Sequence, residues 1–201
     1  MYIARILYPV KVLGPGSRIG IWMCGCRHGC RGCANPELWE FQEQYRMPAD
    51  IVLDAVRGIS GKNKVDGFTI TGGEPFLQPE ALAELLPELR RISGDILVYT
   101  GFEYEQLKDR YEDLLGMITV LIDGRYIESR NTNCFLRGSD NQNIRILDPS
   151  YRDFYQNYIS NGKNQIQNFP ARNGFISVGI HQVDYRRKLA ENLAAKGILV
   201  D

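Results

Sequence analysis

The segment 79–92 carries leucines at 82, 85, 86 and 89, while Glu80, Glu84, Glu88 and Arg90 fall elsewhere on the helical wheel. That spacing predicts an amphipathic helix about 20 Å long lying against a sheet, with the interior Pro87 expected to kink or interrupt it. Helical patterns also occupy 49–59, 104–115 and 184–196. Between them lie short β-branched and aliphatic runs, at 18–23, 67–71, 96–100, 117–122, 144–147 and 175–180, which read as strands. The alternation of the two patterns predicts an α/β fold with a largely parallel sheet. Two stretches break it. Residues 125–143 are polar and poorly periodic, and 155–174 are rich in Asn and Gln, reading as a linker to a terminal strand and helix. The expected organisation is a core over 1–154, followed by 155–201 within the same domain.

The 201 residues are 44% hydrophobic and 24% charged, which fits one globular domain able to bury about 70% of its unfolded surface. Lys plus Arg equals Asp plus Glu at 24 each, so nothing marks the surface as a binder of nucleic acid. No apolar run approaches the ~18 residues of a membrane span, and the N-terminal segment lacks the apolar core of a signal peptide. The expectation is a soluble cytoplasmic protein with no membrane partner.

Composition leaves the chemistry open, and the cysteines narrow it. Four of the five fall in Cys24-Gly25-Cys26-Arg27-His28-Gly29-Cys30-Arg31-Gly32-Cys33. An odd total, mostly clustered, favours metal or redox chemistry over structural disulfides. Cys26, Cys30 and Cys33 have C-x3-C-x2-C spacing with no equally obvious fourth ligand. Iron-sulfur sites normally use four cysteines, so a set of three suggests a position kept for a reacting ligand. The alternative is zinc held by Cys24, Cys26, Cys30 and Cys33, although structural zinc loops usually pair two C-x2-C knuckles and only Cys30 and Cys33 have that spacing.

The cysteine spacing together with Thr71-Gly72-Gly73-Glu74-Pro75 resembles the radical S-adenosylmethionine superfamily. Further segments resemble one branch, the activating enzymes of anaerobic (class III) ribonucleotide reductase and related glycyl-radical enzymes. They are 25–36, Thr100-Gly101-Phe102, Leu121-Ile122-Asp123-Gly124-Arg125-Tyr126 and 136–142. The resemblance covers roughly residues 14 to 147, and the C-terminal quarter has no counterpart in it.

The resemblance implies a partial, open (βα) barrel of mostly parallel strands, since a complete eight-unit barrel usually needs about 250 residues. It also implies a 4Fe-4S cluster on Cys26, Cys30 and Cys33, leaving Cys24 a non-ligand, and binding of S-adenosyl-L-methionine. Gly72 and Gly73 allow close backbone approach, and their carbonyls with the region around Glu74 would meet the amino group of that cosubstrate. Asp123 and Arg125 correspond in place to a segment contacting its methionine part or ribose, against the alternative of a solvated turn. Gly32 stands where many relatives carry an aromatic residue, so adenine would be covered by backbone around Gly32, Cys33 and Ala34, with Trp39 a further candidate. His28 reads either as a donor to a cluster sulfide or as an exposed loop residue, and His181 as a residue able to reach the site from the terminal strand. Cys134 reads as a small buried hydrophobe.

Because parallel α/β sheets bind ligands at their C-terminal edge, the cysteine loop, Gly72 to Glu74, Thr100 and Asp123 should converge. The implied activity is reductive cleavage of S-adenosylmethionine to a 5'-deoxyadenosyl radical, which takes a hydrogen atom from a glycine of a partner glycyl-radical enzyme. Flavodoxin or ferredoxin would supply the electron. Two other readings stay open, a radical enzyme modifying a small molecule or peptide, and a non-enzymatic cysteine-rich metal-binding module.

Overall fold

Six strands build one sheet in chain order, β1 (Ile3–Val10), β2 (Arg18–Met23), β3 (Gly67–Gly72), β4 (Ile96–Tyr99), β5 (Val120–Asp123) and β6 (Asn143–Ile146). The four central strands are parallel, and β1 and β6 close the two edges in the antiparallel sense. This computed structural model describes residues 1–172 and 174–195. The expected mixed α/β, mostly parallel architecture is what the chain adopts, and the last expected helical residue, Lys196, lies outside the described residues. Within the six-stranded sheet, the strand missed in the sequence is β1, whose Pro9 suits only an edge.

Helices α1 (Ala49–Ser60) and α2 (Pro79–Arg90) cover one face of the sheet. Leu82, Leu85, Leu86 and Leu89 are fully buried, as their spacing demands, and each is worth roughly 1.5–3 kcal/mol. Pro87 does not interrupt α2. Pro87 and Ala83 both lie on the exposed side, so the carbonyl that loses its partner faces water. The helix expected over 104–115 is two short ones, α3 (Tyr104–Leu107) and α4 (Glu112–Leu115), and nothing in the sequence between them explains the break.

The segment expected to be a linker is structured. It forms α5 (Arg152–Asn161) and β7 (Ile166–Ala171), and β7 pairs with β8 (Gly174–Gly179) in a separate two-stranded sheet. Helix α6 follows, Tyr185–Ala194. Both α5 and the hairpin lie on the sheet face opposite α1 and α2. Tyr155 of α5 packs with Leu97, Val120 and Ile122, and Val178 of β8 packs with Val10, Leu13 and Trp22. The expected division after residue 154 thus falls inside α5.

Two polar devices attach these additions. Arg18, fully buried at the start of β2, donates to Asp95 at 2.7 and 3.1 Å and to Thr69 at 2.8 Å, and the Tyr155 hydroxyl donates to Asp95 at 2.5 Å. The guanidinium is therefore neutralised and hydrogen-bonded where no water reaches it. At the sheet edge, the Gln167 side chain donates to the Pro9 carbonyl at 2.7 Å and accepts from the Lys11 N–H at 3.0 Å.

Candidate functional site

The C-terminal end of β2 runs directly into the cysteine loop, and the loop's backbone continues the pairing of the sheet. Gly73 N–H donates to Met23 O at 2.8 Å and Glu74 N–H to Gly25 O at 2.7 Å, while Gly25 and Cys26 donate to Leu38 O and Trp39 O at 2.9 and 2.7 Å. The glycine pair is required by this closeness. A Cβ on Gly73 would stand 2.3 Å from the Gly25 carbonyl oxygen, and one on Gly72, whose φ is +108°, 2.4 Å from that of Met23.

Glu74 is 1% exposed and its carboxylate is fully engaged. Oε1 accepts from the Thr100 hydroxyl at 2.7 Å and the Phe76 N–H at 3.0 Å, and Oε2 accepts from the Gly101 N–H at 2.7 Å and from His28 Nε2 at 3.1 Å. One side chain thereby joins the ends of β3 and β4 to the cysteine loop. His28 is accordingly no exposed loop residue, and its Nε2 is taken up by this carboxylate. Its ring lies edge-on to Phe102 with centroids 4.8 Å apart, and it covers Gly101 so closely that a Cβ there would meet the ring at 2.5 Å.

Cys26, Cys30 and Cys33 are half-buried free thiols that border one cavity of about 1150 Å³. Burial pushes the Cys26 thiol up, which a bound cation would reverse. Cys33 Sγ accepts from the Asn35 N–H at 3.4 Å. Among the described residues, no three or more His, Cys, Asp or Glu side chains are grouped to hold a single metal ion. Cys24 is buried, with its Sγ against the Glu40 carbonyl at 2.8 Å, so the four-cysteine zinc arrangement is not formed. The three-thiol set, open on its cavity side, fits the group that its spacing suggested.

Gly32, Ala34, Trp39, Gly72, Gly73, Glu74 and Thr100 border the same cavity, so the expected convergence holds for these residues. Asp123 and Arg125 depart from it. On β5, Val120 and Ile122 face α5 while Leu121 and Asp123 face the α1 and α2 side, because successive side chains of a strand alternate. The buried Asp123 carboxylate accepts from Tyr104 N–H at 3.0 Å and Arg145 Nε at 2.9 Å, holding the start of α3. Arg125 instead donates to the His28 carbonyl at 2.6 Å, bracing the cysteine loop from outside. A second brace is the ion pair of the exposed Arg31 with the half-buried Glu128, at 2.9 Å.

Sequence reading missed Trp22, Tyr99 and Tyr126 as parts of the wall. For Trp22 the signal was present, since Arg18, Gly20 and Trp22 alternate with Ile19, Ile21 and Met23, which are buried beneath α1 and α2. His181 does border the cavity, its Nε2 lying 3.1 Å from Ser177 Oγ, which is 2.7 Å from the Tyr185 hydroxyl. Cys134 is half-buried with its sulfur 3.0 Å from Thr132 Oγ1, so it is no core hydrophobe.

Residues 12–145 match the family described as a 4Fe-4S single cluster domain. The chain is 32% identical over 143 residues to the anaerobic ribonucleoside-triphosphate reductase-activating protein of Enterobacteria phage T4, covering 69% of this chain and 90% of that protein. It is 35% identical over 150 residues to the protein of the same name from Pasteurella multocida (strain Pm70), covering 68% and 92%. With the corresponding protein of Escherichia coli (strain K12) it is 28% identical over 148 residues, covering 70% and 96%. The three-thiol loop, the carboxylate behind it and this similarity agree, and the chain belongs to the 4Fe-4S single-cluster-domain family, with these reductase-activating proteins among its relatives.

Proposed function

We propose that the chain is a radical S-adenosylmethionine enzyme that generates a glycyl radical on an anaerobic ribonucleoside-triphosphate reductase. The observation that carries this reading is the single cavity bordered by Cys26, Cys30 and Cys33 on one side and by the Gly72, Gly73 and Glu74 strand end on another. In this reading the six-stranded sheet is the partial barrel of that superfamily.

A bound cluster supplies the electron that splits S-adenosylmethionine into methionine and a 5'-deoxyadenosyl radical, the species that removes hydrogen from a glycine Cα of the reductase. The protein's part is to hold, orient and shield. Cys26, Cys30 and Cys33 hold the cluster. The backbone at Gly72 and Gly73 receives the cosubstrate's amino group, and Glu74 keeps that strand end fixed against the loop through His28, Thr100 and Gly101. Backbone around Gly32 to Ala34 covers the adenine. Asp123 and Arg125 act at one remove, by fixing α3 and the loop. A flavodoxin or ferredoxin serves as electron donor.

The test is an anaerobic assay of reconstituted, dithionite-reduced protein with S-adenosylmethionine, following 5'-deoxyadenosine alongside iron content. Cleavage with about four irons per chain, the count of one such cluster, is the expected result. A preparation that carries the iron and is reduced, yet forms no 5'-deoxyadenosine alone or with the reductase, overturns the reading.

A further inference from the structure

We propose that the free edge of β8 takes up the partner's extended, glycine-bearing segment as an added strand, a proposal that rests on the activating function above and specifies how its polypeptide substrate is held. The family match ends at residue 145, and 90–96% of the length of the three relatives is already accounted for by 68–70% of this chain. The hairpin and α6 therefore lie beyond the shared core. Yet they build a wall of the cavity that the cysteines border.

The manner in which β8 meets that cavity identifies what it can bind. All residues from Gly174 to Ile180 border it, although alternate residues on a strand point to opposite faces. A run without alternation means that the cavity meets the strand's edge. The other edge is occupied by β7, none of whose residues border the cavity. Among the described residues, no backbone hydrogen bond links β8 to any element besides β7. A row of peptide groups thus faces the reaction space, unpaired among the described residues, and edges of this kind receive extended peptides.

The chemistry of the wall favours a polypeptide over a charged metabolite. From Gly174 to Val183 the cavity-facing residues include no Arg, Lys, Asp or Glu. Such a surface offers a phosphate or carboxylate no charged partner within 174–183, and it matches main-chain amides and small apolar side chains. Phe175 and Val183 flank the strand at the cavity border while remaining 42% and 53% exposed, leaving apolar contact area for residues on either side of the glycine. The cavity, at about 1150 Å³, also exceeds the ~300–1,000 Å³ usual for one small ligand. A chain lying along β8 would pass through the same space that the cysteine loop borders, as transfer of a hydrogen atom requires.

Hydrogen–deuterium exchange of the reconstituted full-length protein, with and without the anaerobic ribonucleoside-triphosphate reductase from the same genome, tests this. Exchange of those 174–180 amides that β7 does not already bond is expected to slow at least tenfold with saturating reductase. Unchanged exchange there, whether or not the reductase acquires a radical, overturns the proposal. As a second measurement, Phe175→Asp is expected to weaken binding of the reductase at least tenfold, and unaltered affinity counts against it. Formation of 5'-deoxyadenosine by the wild-type protein alone, without the reductase, reports separately on the activity itself.

Discussion

His28 Nε2 donates to Glu74 Oε2 across 3.1 Å, so the loop bearing the three cysteines and the strand end bearing the glycine pair share one buried carboxylate. Glu74→Ala would leave the Thr100 hydroxyl and the Gly101 and Phe76 N–H groups without their acceptor, at about 1–3 kcal/mol for each that stays buried. Apparent affinity for S-adenosylmethionine is expected to fall roughly 10- to 100-fold, tenfold per 1.4 kcal/mol, with a smaller loss of bound iron. Equilibrium binding and iron analysis on the same preparation would show it; unchanged affinity would remove Glu74 from the site.

Cysteine variants separate the metal readings. Replacing Cys26, Cys30 or Cys33 with Ala is expected to abolish iron-dependent cleavage, whereas Cys24→Ala keeps it, because Cys24 is engaged with the Glu40 carbonyl. Loss of iron in the Cys24 variant with an intact fold would restore that residue as a ligand.

The buried pair governs stability. Asp95→Ala strands the Arg18 guanidinium and frees the Tyr155 hydroxyl, and is expected to cost about 3–5 kcal/mol, whereas Tyr155→Phe removes one hydrogen bond and costs about 1 kcal/mol. Urea unfolding measures both. Equal losses would mean that the charge is not the dominant part.

Acid sensitivity has identifiable sources. The Ser17 N–H, then Lys64, hold the Asp66 carboxyl below its usual range, and the Ser150 hydroxyl and N–H do the same for Asp148. A carboxyl depressed on folding adds stability above its unfolded value, near 3.9, and that share is lost as pH falls through the lower folded value. Asp66→Asn is expected to flatten the fall in melting temperature between about pH 5 and pH 2. An unaltered acid limb would show the carboxylate to be uncoupled from folding.

Strand and helix positions in the shared core were legible because aliphatic residues carry the pattern, and α2 buries the leucines its spacing selects. The α5 segment was hidden because its buried side is written in Tyr155, Tyr158 and Ile159, with Tyr151 just before the helix, and because its one other apolar residue, Phe154, is exposed. The cysteine loop was legible from its spacing, and the glycine pair through the resemblance that the two motifs carry together. Asp123 was misplaced because proximity in sequence to a strand end says nothing of which face the side chain takes, and the alternation of Val120 to Ile122 would have given it. The role of His28 depended on a carboxylate 46 residues away, which no local pattern encodes.

Gln167 holds the hairpin to the sheet edge with a single side-chain amide that stands in for a peptide group, since β7 and β8 share no ladder with the six strands. The hairpin can thus part from the rest without costing the sheet any of its own pairing. Its opening free energy is then set by Val178, Gln167 and their few neighbours, well below that of global unfolding. The protein is built as two tiers of endurance, a durable floor that keeps the cysteine loop in place and a wall that lifts at lower cost. Local opening of the wall leaves the pairing of the six-stranded sheet beneath the cysteine loop intact.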